Sequence, residues 1–254
     1  MVCTCAYIRG VGFCIAYSDY QVFSGPLPAN KQEKKSAFLF ESVMKQIVII
    51  GARGYGRVVC NIAKECIKSD AEFAIKGFLD SNKCALDGYN GYPPILSSVE
   101  DYVVQEDDVF ICAMGAVKYK KIYASMILNK GGKFINIISK TAHIMQNANI
   151  GNGCIFGDNV HIQCDTKIGD FVTILGGAIV GHDVVVENWC HLGSQTFMGG
   201  FSVIKEGATL HTGAKILPHK IVGTYSTIGI GSVVLTNIKD NATVYGNPAK
   251  SIQI

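Results

Sequence analysis

Ile150-Gly151-Asn152-Gly153-Cys154-Ile155-Phe156-Gly157-Asp158-Asn159-Val160-His161-Ile162 holds two turns of the pattern that decides the fold. A large apolar residue opens each set of six. Stepping by six from Ile144 meets Ile150, Phe156, Ile162, Ile168, Ile174, Val180, Val186, Leu192, Met198, Ile204, Leu210, Ile216, Val222, Ile228 and Val234. With about half of all residues apolar, an unbroken run of this length in one chosen phase would arise by chance roughly once in 10⁵. Eight of these residues are followed at once by Gly, as at Gly151, Gly181 and Gly199. The fifth position is usually small, as at Ala148, Cys154, Thr166, Ala178, Cys190, Thr196 and Ser202. Lys220, beside Pro218, departs from that rule and is expected to mark a local distortion.

Ordinary strand alternation has period two and does not explain a strict six. A period of six with one large inward residue is the signature of a parallel β-helix. Each repeat gives a short strand and a corner, and three repeats close a triangular coil of 18 residues, so residues 144–239 make about five coils. A single coil cannot bury its own face, and stacking supplies the core. Cys154 and Cys190 then have a packing role that needs no redox chemistry.

Upstream, residues 45–138 alternate strand and helix signals. Strands are expected at Gln46–Ile50, Phe73–Leu79, Asp108–Ala113 and Lys133–Ile138. Helices are expected at Arg57–Ile67, Ser98–Val104 and Lys118–Asn129. This alternation predicts an α/β domain with a small parallel, Rossmann-like sheet. The expected organisation is an extension over 1–43 outside the fold, the α/β domain over 44–139, the β-helix over 140–239 and a C-terminal tail over 240–254. Met44 opens a stretch that reads as a natural start. A signal peptide around Val11–Ala16 is the competing reading of the extension, but it lacks a cationic lead and a clear cleavage pattern.

A net charge of +3 over 254 residues gives no argument for nucleic acid or an anionic membrane as partner. The sequence has no apolar run long enough for a membrane-spanning helix. The ten cysteines form no CxxC and no regular spacing, so a reducing cytoplasm is the simpler setting. No H-x₄-H pair of the kind used by β-helix carbonic anhydrases occurs, and no metal site is expected.

The repeats, together with Gly51-Ala52-Arg53-Gly54-Tyr55-Gly56, Phe78-Leu79-Asp80-Ser81, Ala113-Met114-Gly115 and Gly246-Asn247-Pro248-Ala249-Lys250, carry a resemblance. The chain from 45 to 254 resembles the hexapeptide-repeat acyltransferases. Within them it is similar to the bacterial sugar acyltransferases, which include UDP-4-amino-sugar N-acetyltransferases and sialic acid O-acetyltransferases. The resemblance implies a left-handed β-helix, a homotrimer, acetyl-CoA as co-substrate and a nucleotide-linked sugar as acceptor, in glycan synthesis. A nucleotide-binding scaffold without activity is the alternative from another class.

Val180-Gly181-His182-Asp183 carries the expected chemistry. Acyl transfer needs a base to take a proton from the attacking amine or hydroxyl, and histidine suits it with an ordinary pKa of about 6.5. Asp183 can orient the imidazole. Gly200, 18 residues on, should stack on His182 about 4.8 Å away and offer a backbone N–H to the oxyanion. The resemblance gives the same roles to His182, Asp183 and Gly200. It implies acetyl-CoA contacts at His191, Thr212 and Ile230, read as one vertical stripe facing His182 of a neighbouring subunit. It also implies nucleotide-sugar contacts at Arg53, Gly54, Tyr55, Asp80, Ser81 and Gly115. Relatives often carry Ser and His where this chain has Arg53 and Tyr55. Leu175 replaces an Asn and Gly181 an acidic residue found in some amino-sugar enzymes, which leaves a hydroxyl acceptor open.

Overall fold

The computed structural model describes residues 44–68 and 72–252. The expected extension over 1–43 lies outside the described residues. The first part is a parallel sheet of β1 (Lys45–Ile50), β2 (Phe73–Leu79), β3 (Ile95–Ser97), β4 (Asp108–Cys112) and β5 (Lys133–Phe134), in the order β3-β2-β1-β4-β5. Helix α1 (Gly54–Ile67) follows β1 and α2 (Val117–Asn129) follows β4. Alternation along β1 serves two cores. Ile47 and Ile49 join Val59, Cys60 and Ala63 on the α1 side, while Val48 and Ile50 join Phe110 and Ile127 on the α2 side.

Two expected elements differ. Ser98–Val104 is not a helix: residues 99–101 form a turn. The Ser98 hydroxyl accepts from the Asp101 N–H, and Lys130 Nζ donates to the carbonyls of Val99, Glu100 and Tyr102. A lysine from beyond α2 thus takes acceptors that a helix would have used. Lys133–Ile138 is two strands, because after β5 the chain leaves the first sheet. Its second half, β6 (Ile137–Ile138), pairs with Ile155–Phe156 and starts the next architecture. β3 was not foreseen.

That second part is a β-solenoid of two-residue strands in three parallel ladders. Partners lie 18 residues apart: His161 opposite Ile179, Lys167 opposite Val185 and Thr173 opposite His191. The first position of each repeat from Phe156 to Val234 is buried in one continuous core, together with Cys154, Ala178, Cys190, Ala208 and Ala214 from fifth positions. Burying each aliphatic side chain contributes about 1.5–3 kcal/mol. Ile144 and Ile150, in the lowest coil, stay partly exposed.

The corners turn on the fourth position. Every fourth-position residue from Asn147 to Gly231 has a left-handed backbone, with φ between +52° and +72°. The second-position glycines answer a different demand. A Cβ on Gly181 would lie 2.7 Å from the Met198 carbonyl oxygen and 2.9 Å from the Gly200 nitrogen, because the next coil passes that close.

Lys220 does not distort the ladder: Ile221–Val222, just after it, pairs with Val203–Ile204 in regular register. The break comes later. Val233 pairs with Lys215, 18 residues back, but Ile238 bridges Val222 and Thr243 pairs with Thr227, each 16 back. Residues 235–237 therefore turn a corner with two residues fewer. Within the expected tail, Thr243–Tyr245 extends the ladder and Lys250–Ser251 folds back antiparallel on it.

Candidate active site

The corner after Val180 carries His182 and Asp183. Gly181, with no side chain, lets the next coil settle directly over this corner. A Cβ built on Gly200 would fall 2.6 Å from His182 Cε1 and 2.7 Å from Nε2, so Gly200 lies against the imidazole as coil arithmetic predicts. Asp183 Oδ2 is 2.8 Å from His182 Nδ1. That contact favours the tautomer with the proton on Nδ1, donated to the carboxylate, and leaves Nε2 free to accept a proton beneath Gly200. Both side chains remain accessible, at 50% and 41%. His182 is also held from below, where its N–H donates to Gln163 Oε1. Above it, Phe201 meets the imidazole edge-on at 5.2 Å and stacks on His219 at 5.0 Å.

Third-position N–H groups point out of the corners, and some of them are occupied. Asn152 donates to Asp170, Asp170 to Asn188, Glu206 to Glu187 and Thr224 to Asp240, each a side-chain oxygen from the neighbouring coil. The N–H groups of Gly200, Thr212 and Ile230 have no acceptor among the described residues. They share this with other third positions, among them Gln146, Asp158, Cys164, Gly176, Asn188 and Ser194.

Thr212 and Ile230 do form a column: the Gly231 N–H donates to the Thr212 carbonyl, and the Gly213 N–H to that of Ser194. His191 is not in it. It belongs to the strand ladder of Thr173, His191 and Thr209, three positions away from the corner. Its ring packs edge-on against Tyr55 at 6.5 Å, and its Nδ1 is buried without a partner. Burial first, then the charges of Lys120 and His211, pull its pKa down to about 3.

Tyr55 is corrected with it. Its ring lies between α1 and the solenoid and its hydroxyl is buried, which pushes its pKa up. It does not join the other residues assigned to nucleotide sugar. Those gather at the carboxyl ends of β1, β2 and β4, where ligands of open parallel sheets bind. Asp80 braces this edge: Oδ2 accepts from the Ala52 N–H and Oδ1 from the Asn82 N–H. Gly56 is required for packing, since a Cβ there would lie 1.8 Å from the Gly51 oxygen. Gly54 and Gly115 instead face open space, and Arg53 and Ser81 are exposed around them. The start of α1 has no side-chain cap, so its N–H groups are available to an anion.

Lys120, 1% exposed, joins the two parts and was missed in the sequence. Its Nζ donates to Thr173 Oγ1 at 2.7 Å and to the Phe171 carbonyl at 3.2 Å. Desolvation pulls its pKa down to about 8, against the opposing influence of Cys112, Cys154 and Cys190. Burial pushes those three thiols up to about 12, which leaves them protonated and unreactive. Among the described residues no group of three or more His, Cys, Asp and Glu side chains could hold a metal ion, and no helix is long and apolar enough to cross a membrane.

Residues 46–127 match the PglD N-terminal domain family. Among curated proteins, the chain is 32% identical over 92 residues to an acyl-[acyl-carrier-protein]–UDP-N-acetylglucosamine O-acyltransferase of Pseudomonas aeruginosa, covering 36% of each chain. It is 36% identical over 106 residues to a serine acetyltransferase of Buchnera aphidicola, covering 38% of this chain and 39% of that one. The chain thus spans little more than a third of the length of these relatives. Solved structures match more completely. PerB of Caulobacter crescentus, in complex with CoA and GDP-perosamine, superposes with a TM-score of 0.75 at 25% identity, over 83% of this chain and 99% of that one. The acetyltransferase domain of PglB from Neisseria gonorrhoeae superposes with a TM-score of 0.74 at 26% identity, over 82% of this chain and all of that one. The likeness to these solved structures takes in both the α/β region and the solenoid.

Proposed function

We propose that this chain transfers an acetyl group from acetyl-CoA to an amino or hydroxyl group of a nucleotide-linked sugar, for glycan synthesis. The observation that carries the reading is the stacking of Gly200 on the Nε2 side of an imidazole whose Nδ1 is held by Asp183. The acceptor nitrogen or oxygen attacks the thioester carbonyl while His182 Nε2 takes its proton. The Gly200 N–H stabilises the negative charge on the tetrahedral oxygen. When the intermediate collapses the carbon–sulfur bond breaks, and the imidazolium returns the proton to the departing CoA sulfur. Attack is direct, with no covalent acyl-enzyme.

The free N–H groups of Thr212 and Ile230 support backbone contacts to acetyl-CoA; Ile230, 69% exposed, leaves its corner open. His191 is left out of that set because its own chain covers its Nδ1. Arg53, Gly54, Asp80, Ser81 and Gly115 are the proposed nucleotide-sugar contacts. The co-crystallised CoA and GDP-perosamine of PerB support the two ligand classes. We further propose a left-handed solenoid of about five coils over 144–239, a domain boundary near 139, and a homotrimer that sets the Thr212–Ile230 column against His182 of the next subunit. Cys60, Cys112, Cys154 and Cys190 are free thiols, which fits a cytoplasmic setting.

Incubating the protein with acetyl-CoA and a panel of nucleotide sugars, followed by mass spectrometry, tests the reading. One panel member should gain one acetyl group, and His182→Ala should lower the rate by about 10²–10⁴-fold, the usual contribution of a general base. Full transfer by His182→Ala would reject the proposed base. No mass shift with any sugar would favour a scaffold role.

A further inference from the structure

Phe201 takes the left-handed backbone that every fourth position from Asn147 to Gly231 takes, and its ring contacts within the chain are two histidines. Its φ is +60°, where a residue with a Cβ is disfavoured by about 1–2 kcal/mol. Phe171, Trp189 and Tyr225, also at fourth positions, are held by α2 and its surroundings. Phe171 packs against Phe134, while Lys121 lies over both Trp189 and Tyr225. Phe201 is on a different corner, 49% exposed, and its ring contacts are His182 on one side and His219 on the other. A strained and exposed aromatic side chain placed against a reactive group points to a role in that group's work.

We propose that Phe201, backed by the parallel ring of His219, is a positioning residue that holds the His182 imidazole with Nε2 beneath Gly200. Asp183 fixes one edge of the imidazole through Nδ1 but leaves the ring free to swing about that contact. Phe201 closes the direction of that swing, since its own ring is pinned by His219 at an interplanar angle of 3°. The two constraints together leave His182 one orientation, the one in which Nε2 faces the attacking group.

The inference deepens the acetyl-transfer reading and rests on it for its kinetic arm. Its test is Phe201→Asn, because Asn accepts a left-handed backbone and removes only the ring. Thermal melting should show the variant as stable as the parent or more so. Its kcat should fall by about tenfold or more with the KM for acetyl-CoA unchanged, and Phe201→Tyr should restore the rate. A crystal structure of Phe201→Asn should show His182 turned away from Gly200. An undiminished kcat in Phe201→Asn, or an imidazole still in place beneath Gly200 in its crystal structure, overturns the proposal. The crystallographic arm decides even if the parent transfers no acetyl group, an outcome that would count against the acetyltransferase reading alone.

Discussion

Two corners of the solenoid share one backbone and differ in everything else. Gly153, Phe171, Trp189, Gly207 and Tyr225 follow one edge; Asn147, Asp165, Asp183, Phe201 and His219 follow another, all with φ near +60°. Along the first, aromatic rings fold over glycines and onto each other, as Phe171 does on Trp189 at 4.2 Å, and α2 closes over them through Lys120 and Lys121. Along the second, no other element of the described chain covers the side chains, and the imidazole, carboxylate and phenyl ring stay accessible. The repeat specifies a turn and is indifferent to what the turn carries. A corner therefore serves adhesion or chemistry according to whether a neighbouring element lies over it, and substitutions on the two corners should fail in different currencies.

The largest contrast is between adjacent glycines. In Gly200→Ala the three atoms nearest the new methyl all belong to the imidazole of His182, the end of an exposed side chain rather than backbone. Stability should change little, while kcat drops about 100-fold as the base is displaced. In Gly199→Ala the Cβ lands 2.5 Å from the Pro218 nitrogen and 2.6 Å from its Cδ, and a proline in the next coil cannot give way. That variant should melt well below the parent. Thermal melts and rates on the same preparations check both, and a Gly200→Ala protein that unfolds like Gly199→Ala breaks the distinction.

Under the covered corner, Lys120 is a cation with no carboxylate among its hydrogen-bond partners. Its pKa is about 8 in the folded chain against about 10.5 unfolded. Between those values the unfolded chain binds more protons, so stability should rise with pH from 8 to 10.5, with the full penalty present below 8. The shift corresponds to about 3 kcal/mol. Lys120→Met removes that penalty and loses two hydrogen bonds donated by a charged group, about 1.5–3 kcal/mol each. At pH 7 the lost hydrogen bonds offset or exceed the relieved penalty, so the variant should be no more stable than the parent there, with the pH-dependent rise abolished. Urea unfolding of both proteins at pH 7, 8, 9 and 10 measures it. A parent whose stability is flat over that range would show that Lys120 is better solvated than its burial implies.

What the sequence disclosed and what it withheld divide along the same line. The six-residue period and the register of Gly200 over His182 depend only on chain length per coil, so both were legible. The left-handed fourth position was hidden, since Asn147, Asp165 and Gly177 advertise it but Phe171, Trp189 and Phe201 argue against it. The burial of Tyr55 and His191 arises where α1 docks on the solenoid, a contact with no local signal. The availability of the Gly200, Thr212 and Ile230 N–H groups depends on which side chains the neighbouring coil sends over, as Gln163 does at His182. The short corner at 235–237 comes from a loss of two residues that the apolar series, ending at Val234, does not reach.

The smallest expected effect tests whether the two corners share one backbone cost. Trp189→Asn relieves the same left-handed strain as Phe201→Asn, about 1 kcal/mol or a little more. It also removes the stack on Phe171 and the ring beneath the Lys121 ammonium, 5.6 Å away. A stacked aromatic pair contributes about 0.5–1.5 kcal/mol beyond its buried area, and an exposed cation–π contact about 0.5–1 kcal/mol. Those losses and the lost apolar burial outweigh the relief, so Trp189→Asn should melt a few degrees below the parent while Phe201→Asn melts at or above it. The sign difference between two chemically similar substitutions at equivalent positions isolates what the covering helix α2 contributes. If both variants shift in the same direction, the covering element is not what distinguishes the corners, and the strain at Phe201 loses its standing as a sign of function.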